Sequence, residues 1–266
     1  MKTIYPIFLT CIFVLFFSWV QPNRIPTETS AYLIDSLRQE FELKSMLMMA
    51  QKNIDKDSFS INDQSDNTEN PTNFDLQYGN HFTSSIKHLI VRRSDPGMFY
   101  FDIFAVSRGQ FVKVASHQNS ALTYQNDTIQ DINGDGLKDF VVNWYGSSGC
   151  CLKAFSEVFL LQADKKTFGK QLQFINPTFS PFEKMVRGVC YGFPGETELY
   201  KYHFEGNRID TIEYVAIERN KEHQKTGDIL ITNNRLHMDN VKILKRLKNV
   251  PQEYEKIEGY DWFLGD

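Results

Sequence analysis

The stretch ELYKYHFEGNRIDTIEYVAIE, residues 198–218, restricts the fold more than any other part of the chain. Tyr200, Tyr202 and Phe204 alternate with Lys201, His203 and Glu205. A period of two puts the rings on one side and the polar groups on the other in a strand, and scatters both in a helix. Gly206-Asn207 supplies the tight turn, and Ile209 to Ile217 returns antiparallel to the first half. The same signal recurs along the chain. Ile86 to Arg92 reads as a strand, and Met98 to Val106 and Phe111 to Ala115 flank the turn Ser107-Arg108-Gly109-Gln110. Phe155 to Gln162 runs into the turn 163–166, with Phe168 beyond it, and Asp228 to Thr232 and Val241 to Leu247 add two short strands. A short helix is expected over Pro251 to Ile257. The aromatic share of 14%, mostly Phe and Tyr, belongs with strands. The expected fold is mostly β, an antiparallel meander. Its edges would be hidden in a propeller-like arrangement or in a distorted barrel or sandwich.

The amino-terminal part reads differently. Residues 1–20 carry one Lys and then an apolar run from Ile4 to Val20, the layout of a signal peptide or a membrane anchor, and either one exports the rest of the chain. Residues 28–54 place Leu33, Leu37, Phe41 and Met48 at helical intervals, predicting an amphipathic helix whose apolar face packs on its own domain. Residues 55–80 are rich in Asp, Asn, Ser and Thr and read as a polar linker, so the β domain is expected over 81–266. A formal net charge of −4 leaves no basic surplus for a phosphate backbone, which argues against nucleic acid as a partner.

Within the β domain, DINGDGLKDF (residues 131–140) places acidic or amide side chains at every second position and then once more before an apolar run. Asp131, Asn133, Asp135, the carbonyl of Leu137 and Asp139 all offer oxygen, the donor set of a hard cation such as calcium, and Gly136 permits the sharp turn. An EF-hand is excluded, because its twelfth position here is Val142 and residues 140–145 read as a strand instead of a helix. The competing reading is an Asx-rich turn without metal. The expected cofactor is Ca2+ in a structural role.

A DxNxDGxxD loop leading into a buried strand resembles the calcium loops of integrin-α-like FG-GAP repeats and their bacterial relatives. The likeness extends through YGSSGCC, FSEVFLLQ, INPTFSP and YGFPGETELYKYHFEGNRID in that order, covering roughly Asn126 to Glu218. No FG-GAP signature precedes Asp131 and one such loop is present, which speaks against a regular seven-bladed propeller. The resemblance implies a propeller-like exported protein of the bacterial envelope, periplasmic or on the outer surface, related to inhibitor or immunity proteins against lysozyme-like peptidoglycan hydrolases.

The remaining chemistry is sparse. Cys150 or Cys151 would reach Cys190 in a disulfide if their strands are neighbours; the alternative is reduced thiols buried as small apolar groups. The six histidines show no zinc-ligand pair at helical spacing, and Cys190 with His203 lacks the context of a thiol protease. Glu196 and Glu198 imitate the paired carboxylates of a glycosidase, although solvated strand charges explain them more simply. Glycine-rich tips expose backbone and adapt to partners, which makes Gly146, Ser147, Ser148 and Gly149, together with Tyr191 and Phe193, the expected partner-binding residues. The function expected is that of a non-catalytic, calcium-stabilised binding protein for a protein or a cell-wall glycan, tethered through residues 4–20 if these are retained. An inhibitor of a lysozyme-like hydrolase is the sharper alternative, and a glycan-acting hydrolase the competing class. Trp262 and Phe263 are expected to dock the chain end on the core.

Overall fold

The computed structural model describes residues 27–65, 71–146 and 151–265, with the backbone alone for 27–32. The chain divides into two compact units, residues 1–43 and 44–266. Helix α1 (Thr27–Gln51) begins in the first and ends in the second. Leu33, Leu37, Phe41 and Met48, expected to form a packed stripe, are exposed, whereas Met46 and Ala50 are buried. The buried positions lie four apart near the helix end, where the Gln51 side-chain amide donates to the Gly109 carbonyl and the Tyr78 hydroxyl donates to that of Ile54. Among the described residues no helix is long and apolar enough to cross a membrane, and the signal or anchor read over 1–20 lies outside them.

The second unit is built from three antiparallel sheets in which strand order equals chain order throughout. The first contains β1 (Phe59–Gln64), β2 (Asn73–Gly79), β3 (His88–Ser94), β4 (Met98–Ser107) and β5 (Gln110–Ser120). The second contains β6 (Tyr124–Gln130), β7 (Asp139–Tyr145), β8 (Ala154–Phe159) and β9 (Leu172–Ile175). The third contains β10 (Pro177–Ser180), β11 (Met185–Val189), β12 (Leu199–Glu205), β13 (Arg208–Arg219), β14 (Lys225–Thr232) and β15 (Ile243–Leu247). The expected meander is therefore present three times over. Among the described residues no sheet closes into a barrel.

Two expectations need correction here. Residues 55–80 are not a polar linker, since β1 and β2 lie inside them and the first sheet starts at Phe59, not at 81. In β2, Phe74, Leu76 and Tyr78 are buried while Asn73, Asp75 and Gln77 point the other way; the polar residues are one face of a strand.

The sheets stack face to face through alternation in the middle one. Phe140, Val142, Phe159 and Leu161 pack with Ile90, Phe101 and Ile103 of the first sheet. Val141, Val158, Leu160 and Phe174 pack instead with Val186, Tyr200, Phe204 and Tyr214 of the third. Both sides of this sheet are covered where the uninterrupted apolar runs at residues 140–142 and 158–161 lie. The outer side of the third sheet, with Val189, Leu199, Val215 and Ile231, is closed by Tyr254, Ile257 and Phe263 from the chain end. Phe263 sits in the short helix α2 (Tyr260–Leu264), docked as expected. Between the first and second sheets, Arg92 grips Asp127 with Nε at 2.7 Å and Nη2 at 2.5 Å, and the Tyr124 hydroxyl donates to the same carboxylate at 2.9 Å. Such a desolvated pair fixes which strands meet more than it adds net stability.

The first sheet also carries histidines inside the core. His88 is buried, edge-on to Phe82 at 5.1 Å, and His117 packs against Phe101 and Phe159. Burial pushes both imidazoles below their ordinary value of 6.5. With the folded-state value depressed, the unfolded chain takes up protons first. The contribution to stability is complete above pH 6.5 and is lost as pH falls through the folded-state value. Each fully titrating group contributes a slope of up to about 1.4 kcal/mol per pH unit. Between about pH 7 and about pH 5.5 we expect the wild type to lose more stability than His88→Gln, read as urea midpoints. Equal losses would show that this imidazole is not responsible.

Candidate functional site

The loop from Asp131 to Lys138 joins β6 to β7 and is closed by its own side chains. The Asp131 carboxylate accepts the amide N–H of Gly134 at 2.7 Å and that of Gly136 at 2.9 Å. Asp135 Oδ1 accepts the N–H of Leu137 at 2.8 Å, and Asn133 Oδ1 accepts that of Asp135 at 3.2 Å. Gly136 has a φ of 84°, the left-handed turn anticipated for it. At Gly134 a side chain is excluded outright, because a Cβ there would meet the Pro181 carbonyl oxygen at 2.1 Å. The loop thus lies against the turn 181–183 that links β10 to β11, and the Asn133 amide donates to the Gly206 carbonyl of the β12–β13 turn at 3.3 Å.

Asp139 plays a different part. It is fully buried; Oδ2 accepts the N–H of Ile132 at 2.9 Å and Oδ1 that of Leu161 at 2.8 Å. One carboxylate therefore ties the start of the loop to the chain just after β8. Burial pushes its carboxyl up to about 7, the neighbouring Asp135 and Asp131 push the same way, and the two amides pull it back.

Asp131, Asn133, Asp135 and the Leu137 carbonyl supply oxygen only, and among the described residues no Lys, Arg or His forms an ion pair with Asp131 or Asp135. That donor chemistry suits a hard cation. Among the described residues, however, no three His, Cys, Asp or Glu side chains converge on one point; main-chain amides take the oxygens that an ion would take. An ion at Asp131 and Asp135 would have to compete with main-chain amides, and both oxygens of Asp139 already accept buried amides.

The described flanks of the two loops expected to contact a partner, Gly146 with Leu152 and Lys153 on one and residues 189–191 on the other, meet at one end of the second and third sheets. Gly146 N–H donates to the Lys153 carbonyl at 2.8 Å, closing the β7–β8 connection, and Lys153 Nζ lies 5.6 Å from the centre of the Tyr191 ring. Asn176 clamps the two from beneath, its side-chain amide donating to the carbonyls of Leu152 at 3.2 Å and Val189 at 2.9 Å. Ser147, Ser148, Gly149 and Cys150 lie outside the described residues.

The loop between β11 and β12 is held from several directions. Trp262 Nε1 donates to the Gly192 carbonyl at 3.0 Å, and Gly195 N–H donates to the Trp262 carbonyl at 2.9 Å. Arg219 reaches the Gly195 carbonyl at 2.7 Å and Arg235 that of Tyr191 at 3.3 Å. On this braced backbone Tyr191 is 50% exposed and Phe193 56%. Sequence reasoning singled out the loop through its glycines but missed its braces, which come from residues up to 70 positions away. The one signal was the aromatic chain end.

A cavity of about 210 Å3 beside this loop is lined by Glu196, Glu198, Arg219, Arg235 and His237 among others. Glu198 is buried and bound by Arg235 Nε at 2.7 Å and by the Leu236 N–H at 2.6 Å, whereas Glu196 is exposed. Glu198 serves as the anchor of the β14–β15 connection.

Of the two states left open for Cys190, a bridge or a buried reduced thiol, the second is present, and no bridge joins it to Cys151. Cys190 lies in the apolar cluster between the second and third sheets, and burial pushes its thiol up to about 12, so no thiolate is at hand for a nucleophilic role at neutral pH. Cys151 is buried as well.

No protein-family model matches the chain, and no curated protein and no solved structure matches it.

Proposed function

We propose that this chain is an exported, calcium-stabilised binding protein of the bacterial envelope that presents Tyr191 and Phe193 to a protein partner. The observation that carries the reading is the exposure of two large rings on a loop whose main chain is fixed by Trp262, Arg219 and Arg235. Exposed aromatic side chains on a rigid support are the usual anchors of recognition, because little ordering entropy remains to be lost on binding. Calcium would be held by Asp131, Asn133, Asp135 and the Leu137 carbonyl, bracing the loop that abuts the β10–β11 and β12–β13 turns. Its resemblance to FG-GAP-type calcium loops and to envelope inhibitors of lysozyme-like hydrolases supports such a hydrolase as the first partner to test.

Purified chain should slow cell-wall cleavage by a lysozyme-like hydrolase, and Tyr191→Ser/Phe193→Ser should weaken that by about 100-fold, some 2–3 kcal/mol, at unchanged melting temperature. Millimolar calcium should add about 1–2 kcal/mol of stability that Asp131→Asn removes. Undiminished cleavage removes the inhibitor reading. Retention on purified cell-wall glycan with no hydrolase binding would replace the protein partner by a glycan.

A further inference from the structure

The chain is acidic overall, yet Lys242 to Lys248 reads KILKRLK, four cations in seven positions with no acid. This segment is β15 with its flanks, the outermost strand of the six-stranded sheet. One edge of β15 pairs with β14; among the described residues no other main chain pairs with the second edge, leaving its N–H and C=O groups unmatched. Ile243 and Leu244 are 55% and 52% exposed, and Leu244 is the extra residue of a bulge, since Thr232 pairs with Ile243 and Ile231 with Lys245. Arg246 is held by Glu218 at 2.5 Å and Lys248 by Asp228, whereas Lys242 and Lys245 are exposed and form no ion pair among the described residues.

Lysines on an edge strand commonly serve only to prevent pairing with another copy. Here the charge does that and more, since two β15 strands side by side would set cations against cations, while an acidic strand would set each against an opposite charge. An anionic membrane would meet the cations and the aliphatic side chains but leave the open hydrogen-bonding edge unmatched. We propose that β15 is a docking edge for an acidic, extended peptide segment of a partner, added as a seventh strand to the third sheet. The ladder would supply affinity and Lys242 and Lys245 the preference for acidic sequence.

The full chain is titrated into a labelled short peptide of alternating Glu and Val, with binding read by fluorescence anisotropy. Saturable binding is expected. It should weaken roughly tenfold in the Lys242→Glu/Lys245→Glu variant and vanish when alternate peptide amides are N-methylated, because methylation removes the ladder donors and keeps every charge. Lys242→Gln/Lys245→Gln, which adds no acid, guards against a charge-reversed chain that fails to fold. Absence of binding overturns the proposal, as does binding indifferent to N-methylation. Binding to phosphatidylglycerol vesicles without binding to the peptide would give the edge to a membrane instead.

Discussion

Replacing Asp139 with alanine is expected to cost about 3 kcal/mol of folding free energy, because the N–H groups of Ile132 and Leu161 both lose their acceptor at a fully buried position. For a chain of this size the melting temperature should fall by roughly 8 °C. Asp139→Asn should be damaging too, since one oxygen becomes an NH2 group aimed at an N–H. The loss should be the same in calcium and in chelator. Asp135→Asn, exposed in the loop and bonded to a local amide, should cost less than about 1 kcal/mol in chelator and show its deficit only when calcium is supplied. Urea melts of the three variants under both conditions separate the strut from the ligands. A calcium-dependent loss at Asp139 would contradict the division of roles described for the loop.

Gly188→Ala is expected to be as severe. A Cβ at this position in β11 would lie 2.4 Å from the Tyr200 hydroxyl oxygen and 2.5 Å from the Asn176 carbonyl oxygen. Neither has room to withdraw. Tyr200 is buried between the second and third sheets with its hydroxyl donating to the Ile175 carbonyl at 2.8 Å, and Asn176 holds three main-chain groups through its side chain. Overpacking of this kind costs about 3 kcal/mol. Tyr200→Phe/Gly188→Ala should recover part of it by removing the nearest atom. No recovery would place the strain on the Asn176 side.

Much of the third sheet was legible because its hairpin states its own register: Tyr200, Tyr202 and Phe204 alternate around an obvious turn, and the structure pairs Leu199 to Glu205 with Arg208 to Val215. The strand β2 was not, because Asn73, Asp75 and Gln77 obscure an alternation that only burial of Phe74, Leu76 and Tyr78 reveals. Strand β11, MVRGV, is short and contains a glycine that reads as a breaker but exists to let Tyr200 pass. At the candidate site, composition marked the acidic loop and the Tyr191 loop, since both depend on local turn chemistry. The reach of Trp262, Arg235 and Asn176 to those loops was hidden, because it depends on how the sheets stack. Spacing places Asp139 with the other oxygen donors of the loop; that its carboxylate also accepts two buried amides is not visible in the linear pattern.

Because each strand bonds only to those next to it along the chain, no early segment has to wait for a late one before it can pair. Such a polypeptide can acquire structure hairpin by hairpin as it leaves a ribosome or a translocation channel, with modest loop-closure entropy at each step. The exception is the chain end from Tyr254 onward, where Tyr254, Ile257 and Phe263 close the final sheet. Until they arrive that sheet presents bare aliphatic surface, and a stalled or clipped product should be the form that aggregates.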